Sequence, residues 1–160
     1  IVARHPRWKR DAEVVHAAVS AWGTTLRLLD SSQRSDREVV LKAVRSQGNA
    51  IRYADDSVLE DYEVVLAAVT NPSGGRVAVR VVLGDHEGDR LARPDNPYWD
   101  DYGLCLAAVK VDGDVLNVVG SDALRNQPGI ARAAAENDPD AVAAVEEYAT
   151  LHVLRNEGLF

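Results

Sequence analysis

The sequence predicts a mainly α-helical protein built of stacked helical repeats, with a 25-residue period, about five units and one inserted hairpin-like loop. Three observations carry that expectation. Segments opening at Asp11, Asp36 and Asp61 share the pattern Asp-x-Glu-Val-Val-x-x-Ala-Val and lie 25 residues apart, and a fourth opens at Asp101 after a further 15 residues. Agreement persists beyond each segment: Gly23, Gly48 and Gly113 stand twelve residues after the aspartate, and Leu26, Ile51 and Leu116 stand fifteen after it. Self-similarity at a fixed period is the signature of a repeat architecture. The composition suits a folded chain, since 46% of the 160 residues are hydrophobic and 27% charged, enough to bury the core of one domain.

The chain order justifies each element. Ile1 precedes Leu26 by one period, and the chain contains no methionine, so the sequence is expected to begin inside a unit of a longer parent. Trp8 sits near where Leu59, Trp99 and Leu124 precede their own caps. Each leading aspartate is an N-cap, its carboxylate accepting from the free N–H groups of the first turn. Glu13, Glu38 and Glu63 follow two residues later, at the positive end of the helix dipole. Apolar residues three, four, seven and eight positions after the aspartate form one stripe of an amphipathic helix. Alanine at the seventh (Ala18, Ala43, Ala68, Ala108 and Ala133) implies close helix–helix approach. The glycines at 23, 48 and 113 are expected to end their helices with positive φ. A second, short helix then returns to the next aspartate.

Between Asn71 and Asp100 the period is broken. Asn71 to Gly75 is a turn cluster, Val77 to Leu83 is β-branched, and Arg90 to Ala92 could pair back with it as a hairpin. This insertion (about 71–100) is expected to be a loop on one face that carries partner contacts, the alternative being a tolerated surface excursion, and its deletion from Gly75 to Arg90 is expected to leave the array folded. A degenerate fifth unit opens at Asn126, and a terminal helix over about 139–155 closes the stack. The whole chain, 1–160, is therefore expected to form a single array.

Charge and cysteine usage narrow the function. Eighteen Lys+Arg against 25 Asp+Glu leave a net charge of −7, which opposes nucleic acid binding, because affinity for phosphates rests on clustered cations. No apolar run reaches the roughly 20 residues that span a bilayer. One cysteine excludes an internal disulfide framework and fits a reducing compartment or organelle interior better than secretion. That residue, Cys105, stands where Val15, Val40 and Val65 stand, as a small core hydrophobe. His16 replaces the leucines at 41, 66 and 106 and reads as a partly buried, hydrogen-bonded histidine rather than a catalytic one. The run Asp85 to Asp89 holds several potential ligands but lacks the length and closing glutamate of a calcium loop, so it reads as a solvated turn. The recurring carboxylates are explained by capping.

The conjunction of cap, stripe and glycine resembles the tandem helical repeats of domain-of-unknown-function family 4116, over essentially the whole chain apart from the insertion and the C-terminal tail. The resemblance implies an α-helical repeat protein used for binding. It brings no catalytic residue, cofactor or ligand set to this chain. The third unit departs in lacking a clean glycine, and the fifth in having Asn126, Pro128 and Gly129 at its helix start.

The expected function is a non-enzymatic protein–protein interaction scaffold, or a peripheral or linker subunit of a larger assembly. The alternative is an accessory region of a longer enzyme or effector whose chemistry lies elsewhere. The partner is expected to be a protein, with no nucleic acid, small-molecule substrate, metal or cofactor. Its contact surface is expected to use Trp22, Tyr62, Arg80, His86, Tyr98, Trp99 and Tyr102, since aromatic residues and arginine concentrate at interfaces.

Overall fold

The computed structural model describes residues 7–83, 98, 100–117, 121–145 and 148–159. Among them the protein is helical, with no strand. The chain divides into two compact units, Ile1–Gly74 and Gly75–Phe160. None of the described helices is long and apolar enough to cross a membrane.

The first unit contains α1 (Ala12–Ala21), α2 (Ser31–Arg34), α3 (Arg37–Ser46) and α4 (Tyr62–Val69). Each long helix starts where an aspartate can cap it: Asp11 accepts from Glu13 N and Val14 N, Asp36 from Glu38 N and Val39 N, and Asp61 from Val64 N. Such caps contribute about 1 kcal/mol each. α1 packs on α3, and α3 on α4. The apolar stripe is what they share: Val15 and Val19 of α1, Val39, Val40, Ala43 and Val44 of α3, and Val64, Val65, Ala68 and Val69 of α4 are buried.

The glycines do different work from the positive-φ cap that the sequence suggests. Among the described residues only Gly74 and Gly158 have positive φ. Trp22 and Gln47 end their helices in extended conformation, and Gly23 and Gly48 then open 3₁₀ segments, Gly23–Leu28 and Gly48–Tyr53, that bury Leu26 and Ile51. Gly23 is required because a Cβ there would lie 2.2 Å from the carbonyl oxygen of Ala43 on α3. The reason is close approach of two backbones, not a left-handed turn. The helix of the third repeat, α4 (Tyr62–Val69), has no such glycine and ends on Thr70, and the chain turns at Gly74, whose φ is 93°.

The second unit contains α5 (Gly75–Leu83), α6 (Tyr102–Val111), α7 (Asp122–Arg125), α8 (Pro128–Asn137) and α9 (Tyr148–Asn156). The stretch expected as a β-hairpin strand is therefore helix α5. Ala78, Val79 and Val82 are buried at helical spacing while Arg76 and Arg80, one turn apart, are exposed, and burial of that stripe against α6 outweighs the β preference of its valines. The returning strand at Arg90 to Ala92 lies outside the described residues.

Two further boundaries differ from expectation. The helix of the fifth repeat, α8, has Gln127 and not Asn126 at its N-cap position, because proline is accommodated at the first helical position and drives the residue before it out of the helical region. With that one-residue shift, the third, fourth, seventh and eighth positions become Ile130, Ala131, Ala134 and Ala135, all buried. The terminal helix is two elements: a 3₁₀ segment, Pro139–Ala144, which follows its helix as Gly23–Leu28 follows α1, and α9, which packs on α8.

Candidate functional site

Helix ends are where the helices within each unit are tied to one another and where aromatic residues emerge. In the first unit Arg37, the first residue of α3, reaches the first turn of α4. Its Nε lies 2.6 Å from Asp61, its Nη2 lies 2.5 Å from Glu63, and Arg45 adds a 2.8 Å pair to Glu63. The hydrogen bond from Arg37 holds the Asp61 carboxyl below the usual carboxylate range, and the same two carboxylates raise the arginine. Asp61 thus caps its own helix and binds the neighbouring one with the same carboxylate. Lys42 of α3 contacts His16 Nδ1 of α1 at 2.7 Å, so the histidine at a leucine position is a polar bridge between helices.

The C-terminal ends are tied by amides. Gln47 accepts from Thr24 N and Oγ1 at 3.1 and 3.2 Å. Asn71, itself buried, donates to Val44 O and Arg45 O at 3.0 and 2.8 Å and accepts from Ser73 N. In the second unit Asn137 donates to Lys110 O and accepts from Gly113 N. These carbonyls and N–H groups lie past the last intrahelical bond, so an unmet partner would cost free energy. Sequence reading missed the amides Gln47, Asn71 and Asn137 because it followed caps, stripe and glycines, and their role depends on backbone groups of a neighbouring segment.

The expected contact residues fall in two groups. Trp22, which caps α1, is 68% exposed, and Tyr62 and Tyr102, the first residues of α4 and α6, are 42% and 46% exposed. Tyr98 is only 7% exposed, so it is buried and offers no contact surface. Arg80 is exposed and its Nη2 lies 3.9 Å from Asp114, past the C-terminus of α6. Tyr102 begins that helix, about 15 Å away along its axis, so Arg80 and Tyr102 do not converge. His86 and Trp99 lie outside the described residues. Within the second unit Tyr102 lies over the start of α8, where a Cβ on Gly129 would meet its hydroxyl at 2.5 Å.

Two buried groups are structural. Asp112, which ends α6, holds Arg76 of α5 at 2.6 Å through one oxygen and 2.9 Å through the other. Burial pushes the Cys105 thiol up to about 12, with Asp101 and Asp100 adding to the shift, so no thiolate nucleophile forms there at neutral pH. Among the described residues no group of three or more His, Cys, Asp or Glu could hold a metal ion.

No curated protein and no solved structure matches the chain. Residues 36–73, from the cap of α3 to the turn after α4, match the model of Domain of unknown function (DUF4116), the family that the capped, alanine-striped helices resemble.

Proposed function

We propose that this chain is a non-enzymatic protein–protein interaction scaffold, or a peripheral or linker subunit of a larger assembly, made of stacked 25-residue helical units. The observation that carries the reading is the exposure of Trp22, Tyr62 and Tyr102 at the ends of helices that are otherwise capped and tied. Large aromatic side chains offer contact area at small cost in side-chain entropy, and fixed helix ends hold them in place before a partner arrives. Recurrence of the Asp cap and the extended C-cap in α1, α3 and α6, with all four stripe positions buried in α3 and α6, supports the stacked arrangement.

The test is an affinity pull-down from native extract with the intact chain and with Trp22→Ala, Tyr62→Ala and Tyr102→Ala combined, read by mass spectrometry. Because Tyr102 also lies against Gly129, thermal melts of the combined variant and of Trp22→Ala with Tyr62→Ala accompany the test, and the comparison is read on the variant that melts within a few degrees of the parent. A stoichiometric protein partner lost in that variant is the expected result. Equal recovery with both baits would remove these aromatics from the contact surface, and no partner with either would overturn the scaffold reading.

A further inference from the structure

Asp112–Gly113 is the one Asp-Gly step in the chain, which has no Asn-Gly step. Among aspartyl steps this kind closes on itself most readily. Glycine has no side chain to keep its backbone nitrogen from the Cγ of the preceding residue, and its backbone turns freely in an unfolded chain. In the folded second unit both reacting groups are held. Asp112, 2% exposed at the end of α6, gives one carboxylate oxygen to Arg76 Nε at 2.6 Å and the other to Nη2 at 2.9 Å. Gly113 donates its backbone N–H to Asn137 Oδ1 at 3.1 Å, and Asn137 is itself fixed by donating to Lys110 O at 3.0 Å. Arg76 stands on α5 and Asn137 ends α8, so both holds depend on the packing of those helices against α6.

We propose that Asp112–Gly113 is a site of succinimide and isoaspartate formation gated by Arg76 and Asn137, closed while α5 and α8 sit on α6 and open when either leaves. Ring closure has to undo both holds. The Gly113 nitrogen forms a bond to Asp112 Cγ and gives up its proton, and a Cγ–O bond breaks. That oxygen departs as water with the amide proton and one proton from solvent. The nitrogen that must lose its proton is the one donating to Asn137, and the oxygen that must leave is one of the two that Arg76 holds in a charge-assisted pair. Water then adds back at the main-chain carbonyl of Asp112, and the backbone afterwards runs through Cβ and Cγ, one carbon longer and with no net change in mass. The closed unit has no room for that carbon: even a Cβ on Gly113 would lie 2.6 Å from Ala134 O and 2.8 Å from Asp138 Cβ. The product therefore keeps α8 from reseating, and the step records how often this part of the second unit opens.

The test ages the full chain and an unstructured reference peptide of residues 107–117 side by side near neutral pH. Succinimide is read as loss of one water in peptide mass maps. Isoaspartate is read by electron-transfer fragmentation and by methyl transfer from S-adenosylmethionine with an isoaspartyl methyltransferase. The peptide should convert while Asp112 persists in the folded chain. Arg76→Ala and Asn137→Ala should each convert at Asp112 roughly tenfold faster than the parent, through easier local opening and a freed reacting group. Arg76→Lys, which keeps the charge but loses the two-point grip, should fall between and serves where the alanine variant does not fold. Leu154→Ala, buried on α9 and outside the pair, separates guarding from mere destabilisation. At equal loss of stability in urea it should convert more slowly than the Arg76 and Asn137 variants. A folded parent that converts as fast as the peptide would overturn the inference. So would Arg76 and Asn137 variants that convert no faster than Leu154→Ala at matched stability.

Discussion

The first residue of α3 and the first residue of α6 occupy the same place in their helices and meet different chemistry. Arg37 reaches two carboxylates at the start of α4, whereas Tyr102 lies over Gly129 at the start of α8. The first unit joins its helices there by charge, the second by an aromatic ring against a bare backbone. The backbone therefore sets which position overhangs the next helix, and the side chain placed there sets whether the contact titrates. A similar contrast holds at the other helix ends. Gly23 and Gly113 both lie against the carbonyl of an alanine on the next helix, Ala43 and Ala134, but the second unit adds a buried carboxylate, Asp112, tied to α5.

The largest effect should come from deleting Gly75–Arg90. This removes α5, whose Ala78, Val79, Val81 and Val82 are buried, and should cost the second unit about 5 kcal/mol of apolar burial. The result expected in a circular dichroism melt is loss of one cooperative transition with the first unit's helix retained. An unchanged melt would restore the view of this stretch as a dispensable excursion. Gly23→Ala and Gly113→Ala come next, each destabilising by about 3 kcal/mol through backbone overlap, with Gly23 the worse because its new Cβ would lie at 2.2 Å against 2.6 Å. Equal and negligible losses in urea denaturation would mean that the helices can separate freely. Arg76→Ala should cost about 2 kcal/mol by leaving the Asp112 carboxylate buried without its bidentate partner, and the double variant with Asp112→Ala should regain part of that.

The smallest effect sharpens the contrast between charge and aromatic. Asp61 has a folded pKa below its unfolded value, so its pairing adds stability at pH 7 and loses it as the pH falls below about 3.9. Arg37→Ala should slightly lower the urea midpoint at pH 7 and reduce the difference between pH 7 and pH 3. Tyr102→Phe in the other unit should leave that difference as it is. An acid response identical in parent and Arg37→Ala would show that the pair does not couple to folding.

Sequence alone determined the helical class, the caps at Asp11, Asp36, Asp61 and Asp101, and the buried stripe, because capping and 3.6-residue periodicity are local or nearly local rules. Trp22, Tyr62 and Tyr102 could be named from residue type alone, but so could Tyr98, because residue type does not say which aromatic is exposed. Tertiary structure decided the rest. It made a valine-rich segment into α5, because an apolar partner face was available on α6. It buried Tyr98, and it gave Gly23 and Gly113 their reason in the nearness of another helix. The Gln127 cap was written in Pro128, yet the stronger repeat register drew the boundary one residue early. Val14 and Ala18 of α1 are more exposed than Val64 and Ala68 of α4, although Asp-x-Glu-Val with alanine four residues on reads the same in both. A pattern fixes which side chains share a face; only packing determines which faces are covered.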